Sequence, residues 1–340
     1  MPDRQATIQL AHGGGGRLSQ QLIQELLLPA FGPANRVLHD AALLASPGER
    51  LAFTTDSYVV RPLFFPGGDI GRLAVIGSVN DLAMAGARPV AISLALILEE
   101  GLPMATLQQV LGSIQRTAQD CGVAVLTGDT KVVERGKGDG IYITTSAIGA
   151  VRQGIDIQPG AIEPGDAVLV SGELGRHGLA ILAARQELGL RTALESDLAP
   201  LHEIVEQLLN AGVQLHCLRD LTRGGLASAI HEIARDGRCH VVLEEVQIPI
   251  DTTVRHACEL LGLDPLAMAN EGRMLLICPE ADHEQALHLL QQHNSLARRI
   301  GWVEAQASNL QPRQPVTLRN PLGVMRPLEL GRGDQLPRIC

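Results

Sequence analysis

Residues 69–98, DIGRLAVIGSVNDLAMAGARPVAISLALIL, contain the pattern that decides the fold. The first part predicts a helix that is closed by Gly86 and Pro89, because both residues disfavour a continued helix. Residues 90–98 form an apolar run whose length is typical of a buried strand. A helix that leads directly into a buried strand is the repeating unit of α/β folds. We therefore expect a sheet with helices packed against it.

The alternation of helix and strand patterns continues on both sides of this stretch. Residues 17–31 and 106–122 have apolar side chains at helical spacing, and residues 50–57, 123–130 and 140–151 have strand patterns. The pattern breaks at 152–165, which is rich in glycine and proline and is a plausible domain boundary. A second alternating series of strands and helices follows it.

We therefore expect two consecutive α/β domains, over residues 1–152 and 153–307. Residues 308–340 contain one short strand candidate, in PVTLR, and no convincing periodicity after it. A segment of that kind is typical of an extended, mobile tail, which we expect over 320–340.

The composition excludes several classes of function. The chain has 340 residues, a net charge of -9 and only 2% aromatic residues. Nucleic-acid-binding surfaces are usually basic and carry stacking aromatic side chains, so we expect no nucleic-acid partner. No apolar stretch is long enough to span a bilayer, and the N-terminus lacks the pattern of a signal peptide. We expect a cytoplasmic protein without a membrane partner.

The six cysteines are scattered along the chain and form no CxxC pair. Neither a disulfide framework nor a zinc knuckle is expected from this spacing. Cys121, Cys258 and Cys278 lie in apolar helix or strand patterns and are predicted to fill the core. Cys340 is the last residue of the chain and has no such context. It is either an accident of sequence or a functional thiol.

Five aspartates recur at the end of an apolar strand, in the turn after one, or within a helix: Asp40, Asp56, Asp81, Asp129 and Asp220. Open α/β sheets bind ligands at the carboxyl ends of their strands, and all but Asp81 fit that placement. Asp81 lies in the middle of a predicted helix, which is a poor position for aspartate without a ligand. Carboxylates gathered in one crevice require a cation, and Mg²⁺ suits hard oxygen ligands together with phosphate. The alternative is that each aspartate only caps a helix or forms a turn.

Glycine-rich turns precede two predicted helices, in AHGGGGRL and RDLTRGGLA. Such turns expose backbone N–H groups that suit phosphate, although neither a P-loop nor a Rossmann fingerprint is present. Lys131 lies two residues from Asp129 and is close enough to serve the same phosphates. Glu271 lies in a turn before a strand. The alternatives are a solvated surface lysine and an ordinary turn residue.

Seven motifs occur together and in order: LAHGGGGRL, the long FTTDSYVV…GARP segment, LILEEGLPM, TGDTKVVERG, RDLTRGGLA, ANEGR and the terminal PRIC. With these motifs the chain resembles the HypE hydrogenase maturation proteins, which are carbamoyl dehydratases. It is similar, more distantly, to the ATP-binding superfamily of aminoimidazole ribonucleotide synthetase, selenophosphate synthetase and thiamine monophosphate kinase. The chain has His39 and Asp40 where the thiamine monophosphate kinases carry paired acids, which affects one possible metal ligand.

The resemblance implies a fold of two domains of the aminoimidazole ribonucleotide synthetase type, with the N-terminal sheet of the ATP-binding domain pairing in a homodimer. It implies that Cys340 receives a carbamoyl group from the carbamoyltransferase HypF and that the tail presents it to ATP. Lys131 and Glu271 would act beside that group. The proposed Mg²⁺ ligands are Asp40, Asp56, Asp81, Asp129 and Asp220. The same resemblance suggests that nucleotide is also contacted by Asn80, Thr130, Arg223 and Gly224.

The implied product is a thiocyanate on Cys340, which supplies cyanide ligands for the iron of [NiFe]-hydrogenase through the HypC–HypD complex. Two other functions share some of these features. A kinase or synthetase of the superfamily with a free small substrate would use the aspartates and glycines but not the tail. A dimeric scaffold with a docking peptide would leave the aspartates unexplained.

Overall fold

The computed structural model describes residues 7–14, 16–31, 42–185, 193–305, 315–330 and 338–340. They divide into two compact units. The first comprises the described residues up to 82 and 87–151 together with Cys340, and the second comprises 83–86 and the described residues of 152–339. Both units combine helices with a sheet, so the predicted α/β class is confirmed.

The first unit is built on a four-stranded sheet with the strand order β1-β6-β4-β5. Its strands are β1 (Arg50–Tyr58), β4 (Ala87–Glu99), β5 (Ala124–Val133) and β6 (Ile141–Val151). Two short strands, β2 (Phe64–Phe65) and β3 (Gly68–Asp69), form a separate hairpin. β6 is antiparallel to both of its neighbours, whereas β4 and β5 are parallel. A parallel pair needs a crossover connection, and a helix supplies it here.

The helical segments of the first unit are a 3₁₀ turn (Leu10–Gly13), α1 (Arg17–Leu22), a π-helical turn (Ile23–Leu27), α2 (Leu28–Phe31), all but the last two residues of α3 (Ile70–Met84), and α4 (Met104–Asp120). α4 forms the crossover, and its predicted apolar face is buried as expected. α3 is buried along almost its whole length. Within it, only Arg72 and Asp81 keep partial exposure.

The turn between α3 and β4 differs from the predicted one at Pro89. The helix ends at Met84, and Gly86 adopts the left-handed conformation with a φ of 67°. The strand begins at Ala87, so Pro89 lies inside it rather than before it. A shift in the pairing of β4 with β6 follows Pro89, which is where a strand tolerates a residue without an N–H group.

The second unit contains a seven-stranded sheet with the order β13-β12-β9-β11-β7-β10-β8. Its strands are β7 (Ala167–Val170), β8 (Cys217–Asp220), β9 (Cys239–Glu244), β10 (Met274–Cys278), β11 (Arg298–Ala305), β12 (Val316–Arg319) and β13 (Met325–Pro327). β12 and β9 are parallel, and the other neighbouring strands are antiparallel.

Helices cover both faces of this second sheet. They are α5 (Arg176–Ala184), α6 (His202–Asn210), α7 (Gly225–Asp236), α8 (Thr252–Leu261) and α9 (His283–His293), with 3₁₀ turns at Pro159–Ala161, Glu245–Gln247, Pro265–Ala267 and Glu280–Asp282. Val168 of β7 packs in one apolar cluster with residues of α7, and Leu169 packs in another with residues of α6 and α9. Burial on both faces explains why this strand is a continuous apolar run.

The end of the chain contains more structure than its sequence pattern indicated. The strand predicted in PVTLR is present as β12, and β13 pairs with it after a turn in which Asn320 N–H donates to the carbonyl of Val324. The prediction of an extended tail from 320 onward is therefore wrong for 320–327. Residues 331–337, which belong to the same prediction, lie outside the described residues.

The cysteines follow the predicted division. Cys121, Cys258 and Cys278 are buried and unbridged, as are Cys217 and Cys239, whereas Cys340 is partly exposed. No helix in the described parts of the chain is long and apolar enough to cross a membrane.

Candidate active site

The first acidic cluster lies where β1 packs against α3. Thr54 and Asp56 point to the same face of β1, because side chains alternate along a strand. The Thr54 hydroxyl donates a 2.6 Å hydrogen bond to the Asp81 carboxylate of α3. Asp56 accepts one from the N–H of Ser57 at 2.8 Å. The structure therefore brings two of the predicted acids, Asp56 and Asp81, to one side of the sheet.

Hydroxyl groups surround this cluster. Thr145 of β6 is directly opposite Asp56 in the β1–β6 register. Its hydroxyl lies 2.8 Å from that of Ser78, which is one turn before Asp81 on α3. Asn80, a predicted nucleotide ligand, is 2% exposed on the same helix. The cluster therefore offers carboxylate and hydroxyl oxygen atoms, which suit a magnesium ion bound together with phosphate.

Asp129 and Lys131 form an exposed ion pair on β5. The ammonium of Lys131 lies 3.0 Å from the Asp129 carboxylate, which also accepts from the N–H of Thr130 at 2.8 Å. The hydrogen bond from Lys131, with that from Thr130, holds the pKa of Asp129 below its ordinary value. Both side chains are more than half exposed, so the pair is open to a ligand.

The ladder of the first sheet separates Asp129 from the other two acids. Asp56 pairs with Thr145, Thr145 with Leu94, and Leu94 with Gly128, so these four residues share one face. Asp129 follows Gly128 and therefore points to the opposite face. β1 and β5 are also the two edges of the sheet, which places them about 14 Å apart at the usual strand spacing.

Among the described acids of the first unit, Asp56 and Asp81 thus lie on one face of the sheet and Asp129 points to the other. Among the described residues, no three His, Cys, Asp or Glu side chains lie close enough together to hold a metal ion. Asp220 ends β8 in the second unit. Asp40 and its neighbour His39 lie outside the described residues.

In the second unit, a buried carboxylate positions Glu271. The side chain of Asp197 is fully buried and accepts hydrogen bonds from the backbone N–H groups of His177, Glu271 and Gly272 at 3.1 to 3.3 Å. Glu271 itself is 3% exposed. No sequence pattern singled out Asp197, because its partners are 20 to 75 residues away in the chain.

The side chain of Asn270, in the same ANEGR motif, makes hydrogen bonds to three loops. Its side-chain oxygen accepts from the N–H of Gly175 at 2.7 Å, and its amide nitrogen donates to the carbonyls of Leu221 and Met268. The loop held through Leu221 continues to the predicted residues Arg223 and Gly224. Gly224 precedes α7 with a φ of 73°. Asn270 therefore fixes the glycine-rich turn that the sequence associated with phosphate.

Glu173 and Arg273 form a largely buried ion pair beside these loops. Arg273 lies 3.1 Å from the Glu173 carboxylate, Asn294 donates to it at 2.9 Å, and Arg176 lies 3.5 Å away. Burial alone would raise the pKa of Glu173. The charge of Arg273 and the hydrogen bond of Asn294 outweigh burial and hold that pKa below its ordinary value.

The last residues of the chain have specific partners. In the second unit, the carbonyl of Ile339 accepts from His177 Nε2 at 2.7 Å and that of Arg338 accepts from Arg185 at 2.6 Å. In the first unit, a main-chain oxygen of Cys340 accepts from the N–H of Val59 at 3.1 Å, just after β1. The sequence carried no signal for these contacts beyond the terminal position of the thiol.

Comparison with known families places both halves of the chain. Residues 38–151 match the N-terminal domain and residues 163–310 the C-terminal domain of the AIR synthase related proteins. The chain is 47% identical to the carbamoyl dehydratase HypE of Cupriavidus necator, over 98% of this chain and 95% of that protein. Its identity to the Escherichia coli K12 carbamoyl dehydratase HypE is 44%, over 98% and 99%.

Solved structures show the same similarity. A crystal structure of HypE in complex with ATP superposes with a TM-score of 0.90 at 44% identity, covering 97% of this chain and 99% of that one. The match to a HypE–HypF complex has a TM-score of 0.78 at 40% identity, covering 83% and 90%. A thiamine-monophosphate kinase from Stenotrophomonas maltophilia, at 22% identity and a TM-score of 0.63 over 88% and 95%, shares the fold.

Proposed function

The chain belongs to the HypE family of carbamoyl dehydratases, and from that premise we propose that it dehydrates a carbamoyl group carried on Cys340, using ATP. The product is a thiocyanate that supplies cyanide ligands for the iron of [NiFe]-hydrogenase. The observation that carries this proposal is the state of the thiols. Five of the six cysteines are buried in the core, and only the terminal one is partly exposed.

Four of the five buried cysteines are also poor nucleophiles. Burial raises the pKa of Cys217 and Cys278 to about 12 and that of Cys239 and Cys258 to about 11. The thiolate is the reactive form of cysteine, so these side chains are inert at neutral pH. Cys340 is the thiol that an external carbamoyl donor can reach.

The reaction consumes one ATP for each carbamoyl group. The thiocarbamate Cys–S–C(=O)NH₂ has a poor leaving oxygen, and phosphoryl transfer from ATP converts that oxygen into phosphate. Loss of the phosphate and of the amide protons leaves Cys–S–C≡N, with ADP and phosphate as the other products. Because substrate and protein are covalently joined, the encounter with ATP is intramolecular, which favours the rate.

Lys131 and Glu271 are the proposed catalytic partners of Cys340. The ammonium of Lys131, free to leave its exposed pairing with Asp129, would stabilise charge on the transferring phosphoryl group. Glu271, whose backbone is fixed by Asp197, would accept an amide proton as a general base. Nucleotide would be held by Asp56, Asp81 and Asp129, with further contacts from Asn80, Thr130, Arg223 and Gly224.

A magnesium ion fits the chemistry of the Asp56–Asp81 cluster, whose donors are carboxylate and hydroxyl oxygens. Two carboxylates with phosphate oxygens and water are a usual magnesium environment. Asp40 and Asp220 are further proposed ligands. When bound, the ion would neutralise phosphate charge.

The proposed partners follow from the family. HypF is the proposed carbamoyl donor, since a relative of this chain has been crystallised in complex with HypF. The HypC–HypD complex is the proposed acceptor of cyanide. A homodimer is supported by the apolar face of the first sheet, where Phe53 is 70% and Leu51 52% exposed.

Intact mass measurement tests the function directly. Wild-type protein incubated with HypF, its carbamoyl donor and ATP should gain one carbamoyl group and then lose one water. Cys340→Ala should show neither change, while Cys258→Ala, which alters a buried thiol of α8, should show both. Loading of the Cys340→Ala variant would show that another residue carries the carbamoyl group.

A further inference from the structure

The end of the chain makes hydrogen bonds to one helix of the second unit. His177, at the start of α5, is fully buried, with its Nε2 2.7 Å from the carbonyl of Ile339. Its Nδ1 lies 2.8 Å from the hydroxyl of Ser196. Arg185, at the other end of α5, donates to the carbonyl of Arg338 at 2.6 Å. Two successive peptide carbonyls are thus bound from the same helix.

The direction of each hydrogen bond follows from the chemistry of the groups. A carbonyl only accepts, so Nε2 of His177 must carry a proton. Burial lowers the pKa of His177, which favours the neutral ring with that single proton. Nδ1 is then an acceptor for the Ser196 hydroxyl, which itself accepts from the N–H of Leu198 at 3.1 Å. The Ile339 carbonyl therefore sets the ring tautomer, and the Ser196 hydroxyl can donate to Nδ1 in that tautomer.

The backbone of the chain end is adapted to this contact. Arg338 has a φ of 58°, a left-handed conformation that residues other than glycine rarely adopt. Such a conformation persists where surrounding contacts enforce it. The side chain of Ile339 is 8% exposed, so an apolar anchor accompanies the two bound carbonyls.

We propose that α5 carries a receptor for the C-terminal tail, in which His177 and Arg185 hold the docked position from which Cys340 reacts with ATP. The proposal rests on the function proposed above, in which Cys340 carries the substrate. The receptor recognises a short segment with an apolar penultimate side chain and two successive backbone carbonyls that accept hydrogen bonds. His177 and Arg185 are positioning residues, since they act through the chain end rather than on the carbamoyl group.

The receptor separates two steps that need opposite states of the tail. An external donor must reach the thiol, which favours release, whereas dehydration requires the docked tail. Each hydrogen bond makes a modest net contribution, so docking can be reversible. Weakening the receptor should therefore slow dehydration and leave loading unchanged or faster.

Two variants test this separation. His177→Phe keeps a ring of similar size without the Nε2 donor, and Arg185→Met keeps an unbranched apolar stem without the guanidinium. Each should slow conversion of loaded Cys340 to thiocyanate about 3- to 10-fold, the equivalent of one lost hydrogen bond, without slowing loading by HypF. His177→Gln places an amide N–H near the position of Nε2 and should restore part of the rate.

A second measurement does not depend on the carbamoyl reaction. Cys340 is the one cysteine that is not buried, so its alkylation by iodoacetamide, followed by intact mass, reports on the docked state. Both variants should be alkylated faster than wild type, and His177→Gln less so. Because Arg185 is only partly buried, Arg185→Met provides the test if His177→Phe fails to fold.

The outcomes distinguish the receptor from the function. Unchanged alkylation together with unchanged dehydration in folded variants would overturn the receptor. Absence of loading on wild-type Cys340 would instead overturn the proposed function, while faster alkylation of the variants would still support docking.

Discussion

Glu173 shows how a single residue of the second unit keeps its charge away from water. Its carboxylate is 11% exposed and is held by Arg273, Asn294 and Arg176. The pKa of Glu173 is held below its ordinary value, so the folded state favours the charged form. The group should therefore stabilise the fold above its unfolded pKa, and this contribution is lost as pH falls through the lower pKa of the folded state.

We expect Glu173→Gln to lower the free energy of unfolding by about 1 to 3 kcal/mol at neutral pH, because Arg273 loses its charged partner. The difference from wild type should shrink in acid, where the wild-type carboxylate is also neutral. Denaturant unfolding at several pH values measures it. Glu280→Gln is the matched control, since Glu280 pairs with Arg299 at 2.6 Å but is 52% exposed, and should cost under about 1 kcal/mol. An equal loss for Glu173→Gln at all pH values would contradict an ionic origin.

For individual residues, the sequence indicated candidate site residues better than it indicated which groups their side chains contact. The pairing of Lys131 with Asp129 follows from a spacing of two along a strand, which places both on one face. The sequence did not indicate that Asp56 and Asp129 point to opposite faces of the sheet. Their orientation depends on the register across four strands and on an irregularity after Ile92. Asp197 and His177 were missed because their partners are distant in the sequence.

The N-terminus of α7 packs closely against a neighbouring loop through a glycine. Gly225 has a φ of 55°, and a Cβ there would lie 2.5 Å from the carbonyl of Met268 and 2.6 Å from that of Leu266. Both oxygens are backbone atoms in the loop that Asn270 fastens. The close approach therefore sets the position of the glycine-rich turn.

Gly225→Ala should destabilise the second unit through left-handed backbone strain, about 1 to 2 kcal/mol, and through overpacking, about 1 to 3 kcal/mol more. Gly262→Ala is a matched control, because Gly262 has a φ of 66° with no atom within 4 Å of the added carbon. It should show the strain alone. Comparison of thermal unfolding for the two variants checks this. Equal destabilisation would argue against the steric contact.

Elements with clear periodicity were predictable, and the missed ones have physical causes. α4 was identified from its apolar face. α6 has comparable apolar spacing in Ile204, Val205 and Leu208. β11 contains a shift in pairing between Arg299 and Gly301, which disrupts a period of two. β13 is only three residues long, too short for a strand pattern, and is recognised as a strand by its pairing with β12.

For the molecule as a whole, the first sheet has the proposed carrier residue Cys340 near one edge and the proposed catalytic Lys131 at the opposite edge. Cys340 contacts Val59 beside β1, whereas Lys131 lies on β5. Tyr58, which precedes Val59, pairs with Ile143 of β6. The neighbouring Tyr142 pairs with Ile97 of β4, and Ile97 pairs with Lys131 of β5. These two edges are about 14 Å apart in one chain, farther than a lysine side chain spans. A second copy on the exposed face would supply another Lys131.

A mixed dimer decides which Lys131 acts. A Cys340→Ala chain and a Lys131→Ala chain, co-expressed with different tags and purified as a heterodimer, contain one intact Cys340 and one intact Lys131 on different chains. If the partner's lysine acts, the Lys131→Ala chain should form thiocyanate at close to the wild-type rate, because its thiol meets an intact Lys131. If each chain uses its own lysine, that rate should fall about 100-fold or more, as for loss of one charge-stabilising group. Intact mass assigns the product to its chain.

Adding Phe53→Glu to both chains provides the control, since a charge on the exposed face should break the dimer and abolish complementation. Persistent thiocyanate formation on the Lys131→Ala chain after dimer loss would show that Lys131 is not required for the reaction.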